Sequence, residues 1–255
     1  MHSPLEQEII KAVLNLRYQK LHPKVFGSLR HSSGFDYPGV CHANTYEAER
    51  ADFMRRSLPI EGFSVLDIGA NIGYFTLDAI LAGAAKVVSI EGGEADCQLI
   101  NMQAQLLELS HRIEVSRATF DFEDRHQKKY DMILCLNVLH HVGRYFGAPD
   151  ICLPKAKDKI IEYLNSLSKI TKYCWFQMGY NWKGDESLPL FECGLKGEVI
   201  AFLKENISEA WRIREIGILD PDTRNYLAND ENLERFDNIG EFGNRPLFLL
   251  ESRED

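Results

Sequence analysis

The 255-residue chain lacks any apolar run near the ~18–20 residues that a membrane-spanning helix requires, so no such span is expected. It lacks paired cysteine spacing. Cys41, Cys97, Cys135, Cys152, Cys174 and Cys193 are scattered with no C-x-x-C among them, which argues against a zinc site and reads as reduced thiols of a cytoplasmic protein. Positive charge is short. Against 38 acidic residues stand 29 lysines and arginines, a formal charge of −9, which disfavours a broad electrostatic grip on nucleic acid. Basic residues form only short clusters such as Arg55-Arg56 and Lys155-Ala156-Lys157. The first residues, Met1-His2-Ser3-Pro4-Leu5-Glu6, hold no basic region before an apolar block, so no secretory signal is expected. Internal repeats and low-complexity tracts are missing too. What is present is ordinary for a globular protein: 45% hydrophobic and 26% charged residues, with length for one large domain or one domain with a small appendage.

Hydrophobic spacing predicts an amphipathic helix over about 4–20 (Leu5, Ile9, Ile10, Val13, Leu14), a loop-like stretch over 22–45 rich in breakers and aromatics, and a helix over about 46–57. From about 63 onward, apolar strands alternate with helical segments. Strands are expected near 63–68, 86–91, 112–117, 130–137, 172–178, 211–219 and 246–251, with helices near 73–83, 94–109, 156–169 and 196–206. Continuous apolar strands alternating with helices imply an α/β fold, a Rossmann-like, seven-stranded, mostly parallel sheet covered on both faces. The last two strands, separated by a polar loop over about 220–244, fit an antiparallel edge pair. This divides the chain into a helical cap and lid (1–60) and a sheet domain (61–255).

The centre of the pattern is Val65-Leu66-Asp67-Ile68-Gly69-Ala70-Asn71-Ile72-Gly73-Tyr74, which reads as a buried strand, a glycine turn and a helix start. A ligand can lie against Cβ-free backbone at the carboxyl end of such a strand, beside unpaired helix N–H groups. Asn71 stands where the dinucleotide fingerprint has its second glycine, which weighs against a dehydrogenase. Glu91 ends the second strand, where an acid accepts ribose hydroxyls; alternatively it is a helix amino-terminal acid favoured by the macrodipole. Gly92-Gly93 after it permits close approach or is a plain turn.

After strand four comes Asn137-Val138-Leu139-His140-His141-Val142. An imidazole facing a cleft takes a proton or orients an acceptor oxygen; the plain alternative is a structural histidine bonded to backbone. Adjacent side chains diverge on a strand or helix, so the pair makes a poor metal site and none is expected.

The set D-x-G-x-N-x-G (Asp67 to Gly73), Glu91 and Asn137 to His141 resembles the class I S-adenosylmethionine (SAM) methyltransferases over about residues 45–180. Within them the chain is similar to the methyltransferase domains of bacterial polysaccharide chain-terminating enzymes. That likeness lies in the Tyr46…Arg50 helix, Val138-Leu139-His140-His141-Val142, and the closing Asn244-Arg245-Pro246-Leu247-Phe248-Leu249. The wobble-uridine tRNA methyltransferases are similar in the same two central motifs. The resemblance implies SAM as cofactor, with S-adenosylhomocysteine (SAH) as product. It implies contacts from Asp67, Gly69, Ala70, Asn71, Gly73, Tyr74, Glu91, Gly92 and Asn137. Thr119 or Phe120 would meet the adenine, and Arg50 or Tyr46 the methionine carboxylate. His141 and His140 are the candidate catalytic residues. Gly179-Tyr180-Asn181-Trp182 either walls the acceptor site or packs over the core edge. Three activities stay open: O-methylation of a small molecule or glycan, RNA methylation, and SAM binding without turnover. The loops over 22–45, 143–155 and 180–195 carry no pattern that names an acceptor, and oligomeric state is unmarked.

Overall fold

The computed structural model describes residues 3–14, 20–33, 45–123, 128–228 and 239–254. Three helices come first: α1 (Pro4–Val13), α2 (Pro23–Ser33) and α3 (Glu47–Ser57). Helix α1 opens with a capping box, in which the Glu6 N–H donates to Ser3 Oγ (3.3 Å) and the Ser3 N–H to Glu6 Oε2 (2.8 Å). It ends at Val13, short of the expected 20, and residues 15–19 lie outside the described set.

Helix α2 corrects the loop expected over 22–45. Pro23 suits a first helical turn, and Val25 and Leu29, four apart, are both buried. The breaker-rich stretch 34–44 lies outside the described residues.

The alternating part follows: β1 (Ser64–Ile68), α4 (Tyr74–Leu81), β2 (Lys86–Glu91), α5 (Glu94–Leu106), β3 (Ile113–Arg117), β4 (Tyr130–Leu136), α6 (Leu153–Leu167), β5 (Thr171–Gln177), α7 (Lys196–Asn206), β6 (Trp211–Leu219), β7 (Tyr226–Leu227), α8 (Gly240–Gly243) and β8 (Leu247–Ser252). The sheet order is β3-β2-β1-β4-β5-β8-β6-β7. Strands β1 to β5 pair in parallel, while β8 is antiparallel to both β5 and β6. The mostly parallel sheet is as read from the sequence, extended by a two-residue eighth strand, β7, inside the supposed polar loop. The antiparallel pair stands at that end of the sheet, with β8 inside it between β5 and β6 and only β7 beyond β6. Leu247, Phe248, Leu249 and Leu250 are all buried; a strand apolar on both faces is stable only between neighbours.

Side chains alternate across the sheet and build two cores. Leu66, Ile68, Ile133, Cys135, Cys174 and Phe176 face α6 and α7 (Ile160, Leu164, Val199, Leu203). Val65, Met132, Leu134 and Trp175 face the other layer (Ile9, Phe53, Leu77, Ile80, Leu99). The amino-terminal helices thus share a core with α4 and α5. Among the described residues no helix is long and apolar enough to cross a membrane.

This order reverses direction at β1. The chain moves outward to β2 and β3, then returns to β4, so the carboxyl tips of β1 and β4 diverge around a crevice.

Candidate functional site

A cavity of about 1000 Å³ occupies that crevice. Asp67, Gly69, Ala70, Asn71, Tyr74, Glu91, Gly92, Thr119, Phe120, Asn137, Arg50, His140 and His141 all line it, coming from five separate stretches of chain. Gly73 and Tyr46 are not among its lining residues. Tyr46 is 2% exposed and donates its hydroxyl to the Ile239 carbonyl at 3.0 Å, so it braces α3 against the segment before α8 instead of meeting a ligand.

The turn after β1 needs left-handed backbone at three positions: Gly69 (φ +69°), Asn71 (φ +52°) and Gly73 (φ +82°). A Cβ on Gly69 would sit 2.8 Å from Val138 Cγ2, and one on Gly73 2.8 Å from Ile100 Cγ1. The space that a Cβ would need is thus taken by Val138 and Ile100. What reaches the cavity at Gly69 is backbone.

Glu91 closes the turn from the side. Its Oε2 accepts the Asn71 N–H at 2.8 Å and its Oε1 the Gly93 N–H at 2.8 Å. Each oxygen keeps a second acceptor position. Asp67 lies deeper, 4% exposed, accepting the Thr76 hydroxyl at 2.6 Å, with Thr76 and Ser89 oxygens 2.8 Å apart. Burial raises its carboxyl to about 7, the Thr76 hydrogen bond opposing and the nearby Glu91 charge adding.

The tips of β4, β5 and β8 meet in a buried polar network. Arg50, 4% exposed, donates to three neutral oxygens: Gln177 Oε1 (2.9 Å), the Thr45 carbonyl (3.0 Å) and the Tyr46 carbonyl (3.4 Å). Asn137, at φ +61°, gives its Nδ2 to Gln177 Oε1 (3.0 Å) and accepts Arg245 Nη1 on Oδ1 (2.8 Å). Its carboxamide is thus held by Gln177 and Arg245 at the cavity wall. Arg245 also donates to Glu241 Oε1 at 2.7 Å. Of the two guanidiniums, only that of Arg245 is paired with a carboxylate.

The two histidines sit on a single 3-10 turn, Leu139–His141. The expectation that adjacent rings diverge fails on this tighter turn: their centroids are 4.1 Å apart. His140 is 3% exposed, and its Nδ1 accepts the Gly179 N–H at 3.2 Å. Burial first, then His141 and Arg245, holds it well below the usual imidazole range. It is neutral, with its proton on Nε2. His141 is half-buried and lowered to about 4, by burial and then by Arg144. Its Nδ1 lacks a well-aligned partner, and the Lys183 carbonyl only partly offsets burial.

No family model matches the chain. Among solved structures, PH1948 from Pyrococcus horikoshii, a candidate RNA methyltransferase, aligns over 100% of this chain and 99% of its own at 14% identity and a TM-score of 0.51. The bifunctional kinase-methyltransferase WbdD aligns over 95% of this chain and 46% of its own, at 18% identity and a TM-score of 0.53. SMU.776, a candidate methyltransferase complexed with SAH, aligns over 80% and 49%, at 13% identity and 0.52.

The chain has the class I methyltransferase fold.

A stretch of 78 residues is 36% identical to protein arginine N-methyltransferase 6 of Danio rerio, covering 31% of this chain and 21% of that protein. The matched stretch spans about a fifth of that curated relative, and the chain aligns with under half of WbdD.

Several residues in and behind the crevice carry no sequence pattern. Gln177 is fully buried and ends the apolar run Cys174-Trp175-Phe176; a polar residue closing a buried strand was the available sign. Tyr145 lines the cavity from a loop without pattern. Tyr180 and Trp182, by contrast, are buried in the core, and Trp182 Nε1 donates to the Val142 carbonyl at 2.7 Å. The aromatic segment braces the loop carrying the histidines, while Asn181 and Gly184 reach the cavity.

Proposed function

We propose that the protein is a SAM-dependent methyltransferase acting on a hydroxyl oxygen of a small-molecule or glycan acceptor. Glu91 carries this reading: a carboxylate at the β2 tip, pinned by two backbone amides at a cavity of about 1000 Å³, is built to accept ribose hydroxyls. The buried Arg50, bonded only to neutral oxygens in its three hydrogen bonds, supports an anion beside it. A carboxylate supplies one, since an uncompensated buried cation costs several kcal/mol, about 3–5 in measured cases. The ionised form of Asp67 would face an ammonium group, and Thr119 and Phe120 would flank the base. The donor set thus fits the nucleoside, ammonium and carboxylate of SAM.

When bound, SAM supplies a methyl group already activated on a sulfonium. The chain's own work is alignment and exclusion of water. His140 offers its Nε2 proton as a donor that stays neutral at physiological pH. His141 accepts a hydrogen bond from the acceptor hydroxyl, orients its oxygen and takes the proton that this oxygen gives up on gaining the methyl group. Lys20, Thr45, Glu47 and Arg50 line the same cavity, which supports reading residues 1–60 as a cap over it. The free, buried Cys97, Cys135 and Cys174 support a cytoplasmic setting.

Titration calorimetry with SAM tests the cofactor assignment. The expected result for Glu91→Ala is at least tenfold weaker binding, because a charged acceptor of two hydroxyls is lost. Unchanged affinity removes the assignment. Methyl transfer from labelled SAM into tRNA, with none into glycans, would replace the acceptor class.

A further inference from the structure

The acceptor side of the cavity belongs to loops after β4 and β5, on the opposite side of the crevice from Glu91. One aromatic there is unexplained by packing. Tyr145 is 58% exposed, and of the three exposed large hydrophobic residues among those described, Leu14, Leu81 and Tyr145, it alone lines the cavity.

Its exposure is built in. Gly143 (φ +78°) and Gly147 (φ +72°) bracket the turn, and a Cβ on Gly143 would sit 2.7 Å from Ile151 Cγ2. The Gly143 N–H donates to the Phe146 carbonyl at 2.7 Å, closing the turn. Phe146 packs inward on Phe122, centroids 5.0 Å apart. The backbone is thereby held while Tyr145 stands out. The Arg144 guanidinium lies 5.0 Å from the Tyr145 ring centroid and is itself anchored by donating to the Lys183 carbonyl at 2.7 Å. The His141 ring is 5.2 Å away, tilted by 58°. One face of Tyr145 is backed by a cation and its edge flanked by an imidazole, so a flat apolar surface is presented beside the proposed reacting oxygen.

The charge around it is balanced. Arg144 and Glu186 line this wall together, and Arg245 is paired with Glu241. A phosphate-rich acceptor would want surplus cations here. Asn181 and Glu186 instead offer one carboxamide and one carboxylate, groups that hydrogen-bond hydroxyls.

We propose that Tyr145, backed by Arg144, is the platform of the acceptor subsite, and that it takes an uncharged ring bearing hydroxyl groups, a sugar unit. The C–H face of the ring packs on Tyr145, and its hydroxyls meet Asn181, Glu186 and His141. This rests on the methyltransferase reading and narrows it.

The test is saturation-transfer NMR on the full chain with SAH present. The probes are methyl α-glucopyranoside, methyl α-mannopyranoside, methyl α-galactopyranoside, uridine 5′-monophosphate and a short single-stranded RNA. Saturation of ring C–H protons in at least one glycoside is expected. Tyr145→Ala should weaken that binding about five- to tenfold, the size of a lost ring contact, while Tyr145→Phe keeps it. Tyr145 is exposed, so the alanine variant is expected to melt with the unmodified protein. The proposal is overturned if only the nucleotide or the RNA is saturated, if no glycoside is, or if the glycoside signal persists in Tyr145→Ala. Calorimetry on the unmodified protein separates the two levels. SAH that binds while every sugar fails sinks only the subsite; SAH that does not bind sinks the methyltransferase reading and the subsite together.

Discussion

The Arg50 guanidinium donates from Nη1 to Gln177 Oε1 at 2.9 Å, joining residues 127 apart in the chain. The same oxygen accepts Asn137 Nδ2, and Gln177 Nε2 donates to the Arg245 carbonyl at 2.9 Å. One buried carboxamide therefore holds the tips of β4 and β5 to the start of β8 and aims a cation into the crevice.

Gln177→Leu keeps the volume and removes these partners. Each stranded buried group costs about 1–3 kcal/mol, so urea denaturation should show a loss of roughly 2–4 kcal/mol. Gln177→Glu should do the reverse for the fold, giving Arg50 an internal anion, while weakening SAM binding about tenfold or more by competing with its carboxylate. If the glutamate variant binds SAM as the unmodified protein does, Arg50 is not the carboxylate site.

Gly69→Val places a β-branched residue at φ +69° with its Cβ 2.8 Å from Val138 Cγ2. Left-handed strain and overpacking together should cost about 2–4 kcal/mol and abolish measurable SAM binding. Gly69→Ala meets the same contact with less branching and should lie between. A variant as stable as the unmodified protein would mean the turn adapts freely.

Asp67 makes apo stability depend on pH in a definite direction. Its carboxyl titrates near 7 when folded, against an ordinary value near 3.8. Below about pH 4 the group is protonated folded or unfolded. Between 4 and 7 only the folded chain holds the proton, so this contribution to stability falls as pH rises and is lost above about 7, by at most about 4 kcal/mol. The unfolding free energy of Asp67→Asn minus that of the unmodified protein should therefore grow from pH 4 to 7 and then level off. SAM affinity should also rise across pH 6–8 in the unmodified protein, as the carboxylate ionises opposite the ammonium. A pH-independent difference would place the group in water instead.

His141→Ala should lower kcat about 10²-fold or more with SAM affinity retained. With the imidazole lowered to about 4, the rate of the unmodified enzyme should show no histidine inflection between pH 6 and 8. An inflection near 6.5 that vanishes in the alanine variant would make His141 an ordinary titrating base.

Much of this was legible along the chain. The run Val65 to Ile68 with Gly69 and Gly73, Glu91 closing β2, and Asn137 to His141 after β4 are local patterns, and local patterns follow from backbone chemistry: β-strand period, positive φ, strand ends. They were enough for the parallel sheet and for which strand tips converge. The helix at Pro23 was also marked, by Val25 and Leu29 at helical spacing, but masked by breakers further on.

Other features exist only once distant segments meet. Nothing local says that Asn137 turns its carboxamide to Gln177 and Arg245, that Tyr46 bonds Ile239, or that β8 slides between β5 and β6. Those depend on which groups share a buried space, and the cost of leaving a polar group unpaired there decides among them. The charge state of the crevice belongs to the same class. Sequence placed Asp67, His140 and His141 at strand ends; burial beside particular neighbours made the first a reluctant acid and the other two neutral at physiological pH.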